Sequence, residues 1–300
     1  MRISLSLLWW CLILGIVVQP RPILAQTDTL SWDLIQELSI QPGAQQIQVD
    51  TEGNIFLLYP EKSRLEKHLI LAEYDSSIFI GGKSNRQEGF LRPTKIAIAN
   101  RQSVFVLDEA LKRISQVNTN LQVIQEMNFL DFETDLQNSG TDLRMYPRDM
   151  SINPTGEAFL LNDFDNKIIK INPFGEIEVV FAGLDFGEGS LYEPVQLLAT
   201  ENRLVFVSDT SEQALKVFDA FGVYRYTLEP ETSFRWARVA IGQQKIFCFS
   251  PRQLFIQHLA SGTQQEFYLP RDFRLMDLAI QGERIYLLGE NEVHLYRFLP

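Results

Sequence analysis

Few residues in this chain are of types that do chemistry alone: it has 300 residues, three histidines and two cysteines. His68, His258 and His294 are widely separated, and each stands in or beside a strand-like run. A histidine-bound zinc centre needs its ligands to converge on one point, which these positions do not favour. Cys248 lies in the alternating run Lys245 to Ser250 and reads as a small packed hydrophobe. Cys11 sits inside an N-terminal apolar run, away from its end. No Gly-Lys-Ser/Thr phosphate loop, nucleophile elbow or paired-cysteine motif occurs. The sequence gives no positive sign of a dispersed Ser-His-Asp assembly. It therefore assigns no catalytic residue, no metal ligand and no cofactor.

What recurs is charge beside apolar runs. Arg92, Arg148, Glu193, Arg235 and Arg274 stand near the start of one kind of run, and Asp108, Asp163, Asp165, Asp209 and Glu290 follow another. Arginines and carboxylates around one mouth can hold a peptide or polar ligand by charge-assisted hydrogen bonds. The structural alternative is that each repeated aspartate caps its own turn and pairs with the nearby arginine. That alternative is the expectation for Asp108, Asp163 and Asp209, which recur with the repeat. Arg235-Trp236 is less repeat-like, and Trp and Arg are typical interface anchors. The candidate partner-binding set is Arg92, Arg148, Asp163, Glu193, Arg235 and Trp236. Leu130 to Met145 holds Asp131, Glu133, Asp135 and Asp142 without EF-hand spacing, and reads as a solvated acidic loop.

The elements that must position these residues are short strands, with no sustained helical period. An apolar-x-apolar triplet starts at Ile47, Ile96, Met150, Leu197, Val239 and Leu278. After a turn, each triplet is followed by a continuous apolar run, such as Ile55 to Tyr59 or Val104 to Leu107. Continuous runs indicate burial on both faces. A third, more alternating run and a fourth, shorter and more polar one complete the unit, as in Lys167 to Ile171 and Ile177 to Phe181. Burial is expected to fall from first run to fourth. Such repetition of four-stranded units describes a β-propeller. The sixth unit ends at Pro300 after its third strand, while Asp33 to Ile40 is a spare alternating strand at the other end. Pairing it with Val293 to Phe298 closes the ring and removes open edges. The fold class is all-β: a six-bladed propeller over residues 26–300, with the N-terminal strand closing the last blade. On its top face lie the loops leading into first strands and the turns from second to third strands, and with them the candidate set.

The repeat resembles the NHL family of six-bladed propellers. Blade three carries the motif most fully, in Tyr146-Pro147-Arg148-Asp149-Met150-Ser151-Ile152, Gly156, Leu161-Asn162-Asp163, Asn166-Lys167-Ile168 and Phe174-Gly175. Blade four repeats it in Glu193-Pro194-Val195, Val207-Ser208-Asp209 and Ala220-Phe221-Gly222. Blades one, five and six depart from it, with Tyr59, Ser250 and Gly289 where the repeat places Asp. The resemblance implies binding or scaffolding for most exported members, and lactonase or lyase activity with a metal on the axis for a minority. Such a metal site wants inward Glu, Asp and Asn, whereas the first strands are read as offering mostly apolar or neutral residues.

Residues 1–25 read as a signal peptide: Arg2, then an uncharged apolar run from Leu5 to Val18, then Pro20, Pro22 and Ala25 before Gln26. The run is shorter than the roughly 20 residues of a spanning helix, so no membrane anchor is expected after cleavage. The chain carries 27 basic and 38 acidic residues, a net charge of -11, which disfavours nucleic acid as a partner. The expectation is an exported, periplasmic or extracellular, non-enzymatic propeller. It would bind a protein or peptide partner of the bacterial envelope, as a monomer or within a hetero-complex. The alternatives are a metal-dependent lactonase or lyase with a divalent cation on the axis, and a carbohydrate-binding module using Trp236, Tyr146 and Tyr192.

Overall fold

A computed structural model describes residues 32–69, 76–85, 88–100, 103–138 and 143–298. The expected signal peptide, and Asp142 of the acidic stretch, lie outside these residues. The chain begins with β1 (Trp32–Ser39). Blade one follows as β2 (Gln46–Val49), β3 (Ile55–Tyr59), β4 (Arg64–Leu69) and β5 (Ser76–Gly81). Blade two is β6 (Pro93–Asn100), β7 (Ser103–Asp108), β8 (Arg113–Asn118) and β9 (Val123–Asn128). After helix α1 (Phe129–Asn138), blade three is β10 (Pro147–Ile152), β11 (Ala158–Asn162), β12 (Lys167–Ile171) and β13 (Ile177–Ala182). Blade four is β14 (Pro194–Ala199), β15 (Leu204–Asp209), β16 (Ala214–Asp219) and β17 (Tyr224–Leu228). Blade five is β18 (Arg238–Gly242), β19 (Lys245–Phe249), β20 (Gln253–His258) and β21 (Gln264–Tyr268). Blade six is β22 (Asp277–Gln281), β23 (Arg284–Leu288) and β24 (Glu292–Phe298), completed by β1.

The closure is antiparallel, with Leu34 opposite Tyr296, Leu38 opposite Val293 and a register shift between Leu34 and Gln36. The two ends of the described chain thus share one sheet, and the six sheets together form a six-bladed β-propeller closed by its N-terminal strand. Apolar clusters fill the spaces between neighbouring blades. Phe56, Leu58, Phe90 and Ile96 join blades one and two; Phe105, Met150 and Leu160 join two and three. Phe159, Leu161, Leu197 and Phe218 join three and four, and Leu215, Trp236 and Cys248 join four and five. Phe249, Leu278 and Leu287 join five and six, and Ile47, Leu57 and Tyr286 join six to one. Each fully buried Phe or Leu contributes about 1.5–3 kcal/mol, so the ring is held by its inter-blade seams.

Burial does not fall steadily from first strand to fourth. The second strands are the most enclosed, with β3, β7 and β11 buried throughout. First strands are only partly covered, as in β2 and β14, because they line the axis. Fourth strands are the most exposed, as expected.

One turn recurs on the bottom face. Asn153, Asn172, Asp219 and Asp50 each accept, through the side chain, the N–H groups two and four residues on. This is the Asx geometry that fixes tight turns. The fourth residue must adopt a left-handed backbone, and Gly53, Gly156, Gly175 and Gly222 do so at φ of 85 to 90°.

The stretch read as an acidic loop contains α1 instead. Phe129 and Phe132, three residues apart on one helical face, are buried against blades two and three. The Phe129 N–H donates to the Lys112 carbonyl (2.9 Å). Glu133 is not free acidic surface, since its Oε1 accepts the Met145 N–H at 2.7 Å. Two anchoring aromatics are too few to give a visible helical period.

Candidate functional site

The top face is organised by an acceptor at the end of each motif-bearing second strand. Asp108 is buried and accepts the N–H groups of Leu91 (2.7 Å), Arg92 (3.1 Å) and Leu111 (3.0 Å). Asp209 does the same for Tyr192 (2.7 Å), Glu193 (3.2 Å) and Ser211 (3.1 Å). The loop into the first strand is thereby tied to the turn after the second. In blade three the register puts Asn162, not Asp163, at this place: Pro147 faces Asn162 as Pro93 faces Asp108 and Pro194 faces Asp209. Asn162 accepts the Tyr146 N–H at 2.6 Å and donates to Asp165 at 2.8 Å. The expectation that Asp163 recurs with Asp108 and Asp209 is therefore corrected. Asp163 is one residue further on and exposed, at the place of Glu109 and Thr210.

That next position forms a rim of ion pairs. Arg92 meets Glu109 at 3.0 Å, Arg148 meets Asp163 at 2.9 Å and Arg274 meets Glu290 at 3.2 Å. Arg235 donates to the Thr210 carbonyl at 2.8 Å. Glu193 is exposed on the same rim, its carbonyl receiving the Thr210 N–H at 3.0 Å. Exposed pairs of this kind contribute about 0–1 kcal/mol each, so the charges remain available to a ligand.

Glu109, Tyr146, Pro147, Arg148, Asp163 and Phe164 line a groove of about 440 Å³ between blades two and three. Tyr146 is 43 % exposed and Phe164 65 %. Their rings stand 6.4 Å apart, and Lys112 Nζ lies 4.3 Å from the Tyr146 ring. Sequence reading passed over Phe164. Its signal was an aromatic at the tip of a turn, where no core can take it up.

Trp236 is placed differently from expectation. It is 2 % exposed and packs with Leu215, Val239 and Cys248 between blades four and five. Its backbone N–H donates to the Gln213 side-chain oxygen at 3.1 Å, while the buried indole Nε1 has no hydrogen-bond partner. The indole is a core residue and presents no platform to a partner. Arg235, beside it, does reach the surface.

A second polar assembly surrounds the axis. Gln46, Lys95, Asp149, Gln196, Arg238 and Asp277 occupy one register position on the six first strands, immediately before the apolar triplets. Gln46 accepts the Ile96 N–H (3.0 Å), Asp149 that of Leu197 (2.6 Å), Gln196 that of Val239 (2.9 Å) and Asp277 that of Ile47 (3.0 Å). Each of these bonds crosses to the next blade. Lys95 continues the circuit to Asp149 at 2.8 Å, and Arg238 lies 3.5 Å from Asp277. Burial pushes the Asp277 carboxyl above its usual range, against the pull of Arg238, Lys95 and the amides of Ile47 and Leu278. The reading of the first strands as mostly apolar or neutral is corrected by Lys95, Asp149, Arg238 and Asp277.

The histidines lie on the third strands of blades one, five and six. Among the described residues, no three His, Cys, Asp or Glu side chains group so as to hold a metal ion, and no helix is long and apolar enough to cross a membrane.

No family model and no curated protein matches the chain. Solved structures do. Virginiamycin B lyase from Staphylococcus aureus matches with a TM-score of 0.58 and 12 % identity, over 89 % of this chain and 100 % of that one. A streptogramin B lyase gives 0.58 and 10 %, over 89 % and 98 %. The Neurospora crassa Pan2 WD40 domain gives 0.57 and 11 %, over 91 % and 97 %. At such identities the likeness is one of fold, and it agrees with the six closed blades.

Proposed function

We propose that this chain is an exported propeller of the bacterial envelope that binds a protein or peptide partner on its top face, along the groove between blades two and three. The observation that carries this reading is the pairing of exposed Tyr146 and Phe164 with the weakly held Arg148–Asp163 ion pair in one groove. Exposed aromatics rimmed by polar groups are what a partner covers, and aromatics with arginine supply most interface energy. Arg92, Glu193 and Arg235 extend the same rim and would set orientation and association rate. The NHL-like motifs of blades three and four, and the leader-like residues 1–25, support the exported binding role. A propeller that is part of an assembly has precedent in the matched mitotic checkpoint complex (TM-score 0.57, 8 % identity).

The enzyme reading would draw its axial oxygens from Asp149 and Asp277. Both oxygens of Asp149 are already engaged, by Lys95 and by the Leu197 N–H, so a divalent cation there would have to displace an ammonium group. The carbohydrate reading retains Tyr146 and Tyr192 as exposed rings but loses Trp236.

Affinity capture from a native envelope extract tests the proposal, with wild type beside Arg148→Ala/Phe164→Ala and the bottom-face variant Phe174→Ala. A partner held by wild type and Phe174→Ala and lost by the double variant is the expected result. Equal capture by all three would remove the groove from the account.

A further inference from the structure

The outermost strands of a propeller present unpaired backbone groups, and natural proteins guard such edges with charges, bulges or proline. Five of the six outer strands here follow that practice. Glu126 stands in β9, Glu178 in β13, Arg225 in β17 and Glu266 in β21, and β1 carries Asp33, Glu37 and a register shift. The exception is β5, Ser76-Ser77-Ile78-Phe79-Ile80-Gly81, which has no charge and no proline. Its first four residues are exposed, Ile78 at 44 % and Phe79 at 61 %.

Its pairing with β4 fixes which groups face outward. Gly82 donates to the Ser63 carbonyl at 2.8 Å, and the register runs on from Arg64 opposite Gly81 to Glu66 opposite Phe79 and His68 opposite Ser77. Bonded and non-bonded pairs alternate in an antiparallel ladder, so the outward-facing N–H and C=O groups belong to Ser77, Phe79 and Gly81. The Phe79 ring shares a face with Arg64, whose guanidinium carbon lies 5.0 Å from the ring centre.

We infer that β5 is a docking edge for a second copy of this chain, joining blade one of each molecule in an antiparallel, two-fold β5–β5 ladder. Self-pairing about Phe79 sets Phe79 against its own counterpart, Ile78 against Ile80 and Ser77 against Gly81. A two-fold contact is self-complementary, so a charge at its centre meets a like charge. Any of the other five outer strands would bring Glu to Glu, Arg to Arg or Asp to Glu into proximity. In a chain of net charge -11, β5 is the outer edge on which two copies meet without that opposition. Aromatic cross-strand pairs then add to the ladder. This inference is independent of the partner-binding groove, which lies between blades two and three.

Sedimentation velocity of the full chain over about 1–200 µM tests it, alongside a form beginning at Gln26. A reversible monomer–dimer equilibrium is expected for both. Phe79→Lys and Phe79→Glu, each checked for an unchanged melting temperature, should weaken it roughly tenfold or more. An equimolar mixture of the two variants should restore association, because opposite charges then face each other across the two-fold axis. A monomer throughout the range overturns the inference. So does a dimer indifferent to both substitutions, or one that vanishes when residues 1–25 are removed.

Discussion

Asp149→Ala isolates the energetics of the axial ring. In the intact protein Asp149 is nearly enclosed, its Oδ1 is 2.8 Å from Lys95 Nζ, and its Oδ2 accepts the Leu197 N–H of the next blade at 2.6 Å. Removing one member of a buried ion pair costs about 3–5 kcal/mol, and an orphaned amide about 1–3 kcal/mol. The two losses share one solvation change, so about 4 kcal/mol is expected for the substitution. Against a typical stability of about 5–15 kcal/mol that is a large fraction. With a urea slope of about 3 kcal/mol per molar, the unfolding midpoint should fall by about 1.3 M. Lys95→Met/Asp149→Leu, which removes both charges and restores apolar volume, should recover part of the loss. Urea titration followed by tryptophan fluorescence reads all three proteins. A cost below about 1 kcal/mol for Asp149→Ala, or a double variant worse than the single one, would refute an inter-blade role for the ring.

Three further outcomes follow from the same structure. Burial pushes the Cys248 thiol well above its usual value, so iodoacetamide at pH 8 should leave it unmodified in the folded protein and alkylate it on unfolding, as mass spectrometry will show. Burial alone would raise the Asp219 carboxyl, but the N–H groups of Val223 and Phe221 and the Arg225 guanidinium outweigh it and hold the group below its ordinary 3.8. Its stabilising contribution is complete above the unfolded value and disappears as pH falls through the folded one, so Asp219→Asn should flatten the stability curve below about pH 4. Deleting residues 26–39 strips β1 from the edge of β24, and should lower the melting temperature by about 10 °C or more in a calorimetric scan.

The fold was legible because the repeat is written in burial. Runs such as Ile55 to Tyr59 and Ala158 to Leu161 admit no face to water, and a missing strand at one end matches a spare one at the other. The capping role of Asp108 and Asp209 was equally readable from their repetition. Asp163 was misassigned because Asn162 and Asp163 are both competent acceptors, and only the pairing with Pro147 decides between them. Trp236 looked like an anchor because it breaks the repeat; the apolar seam between blades four and five takes it up instead. The axial ring escaped notice because its members share no residue type. Gln46, Lys95, Asp149, Gln196, Arg238 and Asp277 share only a position, one residue before each apolar triplet. That position aims a polar side chain at the neighbouring blade, and glutamine, aspartate and the two cations all complete the circuit.

The central claim is that a partner occupies the top-face groove. A photo-crosslinking residue placed at Phe164, with a second chain labelled at Phe174 on the opposite face, tests it in whole cells. Both rings are exposed, so either label is free to react. A discrete adduct from position 164 and none from position 174 is the result this account predicts. Equal labelling from both positions, or an adduct from 174 alone, would contradict it.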